Sequence, residues 1–136
     1  MIEYKCFDSK ELSRIKMIYQ GEEWQTYLKD DKKLSRAFDN SLFVYGAFKD
    51  GSLIGFIRVI GDGEHAVFVQ DLIVMKEYQR QGIGTYLFKH VLNKYSNVRF
   101  FAVITDINDK VDNDFYKSFG LVPINNGDMI AYFRKK

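Results

Sequence analysis

Cysteine is nearly absent from this chain of 136 residues, and that narrows its chemistry. The single Cys6 excludes an internal disulfide and any metal site built from several cysteines. It falls in a stretch that reads as the first strand, where a buried, inert thiol is expected. An excess of charge of one sign is also lacking. Twenty Lys and Arg against 18 Asp and Glu leave a net charge of +2, too little to argue for nucleic acid. The terminal Arg134-Lys135-Lys136 reads as a solvated tail. No run approaches about 18 apolar residues, and the first residues lack the charged-then-apolar pattern of a secretion signal. There is no repeat, linker or low-complexity segment. The expectation is one domain over residues 1–136, soluble and cytoplasmic, without membrane or nucleic-acid partners. What the chain does have is apolar bulk. It is 46% hydrophobic and 16% aromatic, enough for a core and against disorder.

Residues 2–7 alternate weakly and read as a strand. Asp8 precedes Glu11 by three, a variant of the capping box, and Leu12, Ile15 and Tyr19 follow at helical spacing. Gly21 ends that helix. Trp24, Tyr27 and Leu28 form a short aromatic segment. Asp31 can cap a further helix with Leu34, Ala37 and Phe38 on one face. Residues 42–48 and 53–60 read as strands around the hairpin signal Lys49-Asp50-Gly51-Ser52. Gly61-Asp62-Gly63 turns into a strand over residues 66–75. That strand is apolar at both parities, so it is buried on both faces and central. Residues 83–95 carry a wide apolar stripe and read as a helix. Residues 98–104 read as a buried strand. Asn108 or Asp109 can cap a helix with Val111, Phe115 and Phe119 on one side, and Gly120 ends it as a left-handed residue. Leu121-Val122 and residues 129–133 read as short strands around Asn126-Gly127. The sum is a mixed α/β fold: a mixed β-sheet of about seven strands flanked by about four helices, with a parallel crossover from strand 66–75 to strand 98–104.

The most informative residues are Gln79-Arg80-Gln81-Gly82-Ile83-Gly84. They link the central strand to a helix N-terminus, whose first N–H groups lack partners and whose dipole favours an anion. Gly82 and Gly84 let a phosphate approach the main chain, and Arg80 adds charge. A dinucleotide fingerprint needs glycine where Leu87 stands, and a Walker loop needs Gly-Lys-Ser/Thr. A plain strand-to-helix turn with glycines for close packing fits the same residues.

The pattern Gln-x-x-Gly-x-Gly after a central strand resembles motif A of the GCN5-related N-acetyltransferases, the GNAT family. Phe115-Tyr116-Lys117-Ser118-Phe119-Gly120-Leu121 resembles the Phe-Tyr-x-x-x-Gly-Phe stretch of the family's fourth helix. The separation of Gly84 from Tyr116 suits one helix, one strand and half a helix. The element order resembles that fold across essentially the whole chain. The stretch from Leu53 through Gly84 resembles a compact bacterial branch. There are departures. Asp109 and Asp112 stand where Asn and Ala are usual, which leaves a side-chain contact to the coenzyme there open. Leu121 replaces the usual aromatic.

The resemblance implies an acetyl-coenzyme A-dependent transferase, with acetyl-CoA as cosubstrate and no metal. It implies transfer to a primary amine of a small molecule by direct attack in a ternary complex. It places the pyrophosphate on Gln79, Arg80, Gln81, Gly82, Ile83, Gly84 and Thr85. It places the pantetheine arm on the main chain of Leu72, Ile73 and Val74, near a bulge whose freed N–H polarises the acyl carbonyl. Tyr116 would be the general acid that protonates the departing thiolate; a core tyrosine is the alternative. Asp71, a carboxylate within an apolar strand, is the candidate base for the incoming ammonium. The alternative for Asp71 is a structural pairing with backbone or with Arg58. Glu22, Glu23 and Glu64 are lesser candidates, and His65 and His90 read as surface residues. Trp24 and Tyr27, at i and i+3, are candidates to line an amine pocket by packing or cation–π contact; core packing is the alternative. The resemblance also implies a homodimer formed through the sheet edge or last hairpin. Three other readings stay open: a coenzyme A-binding sensor without turnover, a non-enzymatic interaction domain with an unrelated phosphate ligand, and a protein or peptide N-acetyltransferase.

Overall fold

Five strands form where the sequence alternates or runs apolar. They are β1 (Ile2–Cys6), β2 (Phe43–Lys49), β3 (Ser52–Gly61), β4 (Ala66–Val74) and β5 (Phe100–Val103), and they lie across one sheet in that order. β1 to β4 are antiparallel neighbours, and β5 runs parallel to β4. The computed structural model describes residues 1–22 and 25–136, in two units, Met1–Val103 and Ile104–Lys136.

In the first unit the helices are α1 (Leu12–Gly21), α2 (Asp31–Asp39) and α3 (Ile83–Lys94). The α2 cap is Asp30, one residue earlier than expected, and its side chain accepts from the Lys33 N–H at 3.1 Å. α1 and α2 bury Ile15, Ile18, Tyr19, Leu34 and Phe38 against Val44, Phe48, Phe56 and Ile73 of the sheet. Residues of opposite parity on β2 point the other way, towards α3: the Tyr45 ring stacks on His90 at 4.1 Å. α3 itself buries Ile83, Leu87, Phe88 and Val91. The sheet is therefore covered on both faces, which is why β3 and β4 are apolar at nearly every position. Each such side chain taken fully from water contributes about 1.5–3 kcal/mol. Cys6 is exposed rather than buried, because β1 is an edge strand.

The sheet is irregular where it matters. Arg58 pairs with Asp71, but the next residue, Val59, pairs with Val69. Gln70 is thus an extra residue on β4, a bulge. β5 then follows β4 only from Ala66 to Val69.

In the second unit, α4 (Lys110–Ser118) is capped by Asp109, which accepts from the Asp112 N–H at 2.9 Å. Gly120 ends it with φ +88°, and the Leu121 N–H reaches back to the Tyr116 carbonyl. The two expected strands beyond are not formed, so the sheet has five strands among the described residues rather than about seven. Pro123 follows Leu121-Val122 at once and lacks an N–H to donate. Asn126-Gly127 lies inside a 3₁₀ turn, Ile124–Gly127, instead of a hairpin connection. Ile130, Tyr132 and Phe133 stay exposed. Among the described residues no helix is long and apolar enough to cross a membrane.

Candidate functional site

The parting of β4 from β5 creates the first half of the site. Beyond Val69, no strand among the described residues pairs with the β5-side edge of β4. Main-chain groups over residues 70–74 on that side thus lack a strand partner, as pairing with an extended ligand arm requires. Leu72 is half-buried, while Ile73 and Val74 pack into the core. Their side chains anchor the strand, so a ligand beside it would meet the backbone. The bulge lies at Gln70, two residues before the expected place near Leu72, Ile73 and Val74.

The loop after β4 forms the second half. A 3₁₀ turn, Lys76–Tyr78, leads to Gln79, whose side-chain amide donates to the Val74 carbonyl at 2.8 Å. Gln79 therefore ties the loop to the end of β4. Arg80 is exposed and has φ +64°, an uncommon conformation for a residue with a Cβ. Gly82 is the α3 N-cap at φ +84°, with open space where a Cβ would stand and no side-chain cap. The N–H groups of Ile83, Gly84 and Thr85, in the first turn of α3, have no intrahelical acceptor. A Cβ on Gly84 would meet only Val74 Cγ2, at 3.9 Å. Packing among the described residues thus does not require glycine there. Gln81 is exposed beside them. These residues fit a pyrophosphate: a strand edge leads into an uncapped helix N-terminus flanked by Arg80.

Asp71 is not open to a substrate. Its carboxylate is buried, its Oδ2 accepts from Arg58 Nε at 2.7 Å and from the Tyr19 hydroxyl at 2.6 Å, and its Oδ1 has no hydrogen-bond partner among the described residues. The pairing with Arg58 is realised, and direct deprotonation of an ammonium by Asp71 loses its geometric basis. Arg58 also donates to Ser41 Oγ at 3.3 Å and lies over the Phe38 ring. Burial, then the Asp71 charge, hold the Tyr19 hydroxyl well above the ordinary phenol range. Tyr27 stacks on Tyr19 at 4.5 Å and accepts from the Gln70 amide at 3.1 Å. Trp24 and Glu23 lie outside the described residues. A small cavity of about 70 Å³ sits beside the end of β4, lined by Met17, Glu22, Val74, Met75, Lys76 and Glu77.

In the second unit, Tyr116 sits on α4 against the Phe115 ring. Burial first, then Asp112 and Asp109, push its hydroxyl above the ordinary range, so it keeps its proton.

The family profile described as the acetyltransferase (GNAT) family matches residues 9–121. The chain belongs to the GNAT family. A solved GNAT structure, protein SP0256 from Streptococcus pneumoniae TIGR4, superposes with a TM-score of 0.85 at 32% identity, over 100% of this chain and 98% of that one. The PaiA N-acetyltransferase of Thermoplasma acidophilum, solved with coenzyme A, shares the fold at a TM-score of 0.70 and 20% identity over 88% of each chain. Among curated proteins, the uncharacterized N-acetyltransferase ycf52 of Gracilaria tenuistipitata var. liui is 29% identical over 97 residues. That match takes in 67% of this chain and 52% of the relative, so the chain spans about half the length of that relative.

Within this GNAT chain, sequence reasoning missed the roles of Tyr19 and Gln70. The signal was faint: two adjacent polar residues, Gln70 and Asp71, interrupt an otherwise apolar strand, and Arg58 interrupts its neighbour.

Proposed function

We propose that this chain is an acetyl-CoA-dependent N-acetyltransferase that acts on a primary amine of a small molecule, by direct attack in a ternary complex. The observation that carries the reading is the open β4 edge running into the uncapped, glycine-started α3. The N–H groups of Ile83, Gly84 and Thr85, with Arg80 and Gln81, hold the pyrophosphate of acetyl-CoA. Main-chain groups of Leu72 and Ile73 pair with the pantetheine arm, while the Val74 carbonyl is already taken by Gln79. A freed N–H at the bulge polarises the acyl oxygen as negative charge develops on it. Tyr116 keeps its proton across the working pH range and delivers it to the departing thiolate. Its raised pKa makes that transfer depend on close positioning rather than on acid strength.

With Asp71 engaged, Glu22, which lines the cavity, and Glu64 remain as lesser base candidates. Glu22 and Glu77 on that cavity, against the single Lys76, favour a cationic acceptor. Tyr27 stands as the described aromatic of the acceptor side. The engaged Asp71 also favours a second reading, a coenzyme A-binding module without turnover.

The test is calorimetric titration with acetyl-CoA, desulfo-coenzyme A and ATP, followed by an amine screen read by thiol release. Binding of the first two with little for ATP, and thiol release with an amine, supports the transferase. Binding without release on any amine supports the second reading. No binding of either coenzyme overturns both.

A further inference from the structure

A β-strand normally sends adjacent side chains to opposite faces. At the β4 bulge this rule is broken, and the side chains of Gln70 and Asp71 both reach the α1 side. The Gln70 amide meets Tyr27, and the Asp71 carboxylate meets Tyr19. Tyr19 and Tyr27 are stacked on each other, so the two contacts converge on one aromatic pair. Without the bulge, one of the two side chains would turn towards α3. The contacts and the bulge therefore require one another.

Arg58 adds register. It is the cross-strand partner of Asp71 at the last regular pair before the bulge. A one-residue slip of β4 would set Gln70 opposite Arg58 and leave a buried guanidinium without its carboxylate. The arrangement is costly as packing alone, because it buries a charged pair, and Asp71 Oδ1 has no partner among the described residues. Apolar residues would fill the same space without that cost.

We propose that Tyr19, Asp71 and Arg58 are positioning residues that pin the β4 bulge at Gln70 and thereby set which backbone groups of residues 70–74 face the acyl group. This rests on the acetyltransferase reading for its catalytic consequence, but not for the bulge itself. None of the three touches substrate. They act through the main chain of β4, which must be held in the bulged form for its open edge to match an extended arm.

The experiment combines two readouts on Tyr19→Phe, Asp71→Asn and the apolar double variant Arg58→Met with Asp71→Leu. The first is hydrogen exchange of the backbone amides over residues 69–75, which needs no activity. The second is kcat, KM and the pH profile of acetyl transfer, with the affinity for desulfo-coenzyme A. Exchange over that segment is expected to rise while the rest of the sheet stays protected. A kcat loss of up to about a hundredfold is expected, the order seen for small misplacements. Affinity for desulfo-coenzyme A is expected to hold, since the phosphate loop is untouched. The acid limb of the kcat/KM profile should persist in Asp71→Asn. Loss of that limb would make Asp71 a base and overturn the proposal. Unchanged exchange and kcat in the folded double variant would overturn it as well. Absence of any transfer by the native protein would remove the catalytic consequence alone, with the exchange data still deciding whether the bulge is pinned.

Discussion

Arg58 faces Asp71 across neighbouring strands, and its Nε lies 2.7 Å from the carboxylate with the two side chains only 6% and 0% exposed. Breaking one half of a buried pair leaves the other charge stranded. Arg58→Met alone is expected to lose about 3–5 kcal/mol of stability. Adding Asp71→Leu should recover most of that. Urea denaturation of the series measures the coupling. Additive losses would show that the pair is not an energetic unit.

Gly82 and Gly84 separate conformation from ligand space. Gly82→Ala places a Cβ at φ +84° and is expected to cost about 1–2 kcal/mol of stability. Gly84 is within α3, in ordinary contact with Val74. Gly84→Ala is therefore expected to keep or raise stability by about 0.5–1 kcal/mol. It should nonetheless weaken acetyl-CoA binding, because its methyl group enters the space of the pyrophosphate. Thermal melts with and without acetyl-CoA give both quantities. Unchanged affinity in Gly84→Ala would show that no phosphate approaches that carbon.

Tyr116→Phe is expected to lower kcat by about two orders of magnitude, the scale of general-acid effects, with acetyl-CoA binding preserved. Single-turnover kinetics is the check. An unchanged chemical step would remove Tyr116 from proton delivery.

Asp62 sets a pH dependence of a different kind. Its Oδ1 accepts from the N–H groups of Glu64, His65 and Ala66 at 2.8–3.0 Å, between Gly61 and Gly63. Those bonds, that of Ala66 first, hold its carboxyl down at about 2, against 3.8 when unperturbed. A depressed carboxyl stabilises the fold above its unfolded value and loses that contribution as pH falls through the folded one. The stability gap between native protein and Asp62→Ala should be constant above about pH 4. Part of it should disappear between pH 4 and pH 2, as measured by denaturation across that range. A gap that grows on acidification would contradict this assignment.

Much of the scaffold is written in local pattern. The two-parity apolar run of residues 66–74 marks a central strand because burial on both faces leaves no polar alternative. Asp109, Gly82 and Gly120 mark helix ends because each supplies a cap or a left-handed residue that the backbone demands. The turn from the central strand through Gln79–Gly84 into α3 was legible for the same reason. The bulge was not, because its place depends on Tyr19 and Tyr27, some 50 and 40 residues away, and no local spacing encodes that contact. The isolated Asp71 raised the question of base or ion pair, and the ion pair depends on the position of Arg58 across the sheet. The tail misled because Asn126-Gly127 has hairpin chemistry, whereas pairing needs two donor-competent strands, and Pro123 interrupts the first.

The departure of β5 after Val69 gives this sheet an edge in its interior. Proteins usually confine edges to the margins and guard them with charge or brevity. Here the unguarded main chain runs past Leu72, Ile73 and Val74, a sequence well suited to joining another extended chain. A molecule whose cleft is filled hides that template, and a molecule whose cleft is empty displays it. If coenzyme fills the cleft as proposed, mass action makes its supply set how long the protein stays dispersed. On that reading, preparations stripped of coenzyme should be the first to aggregate.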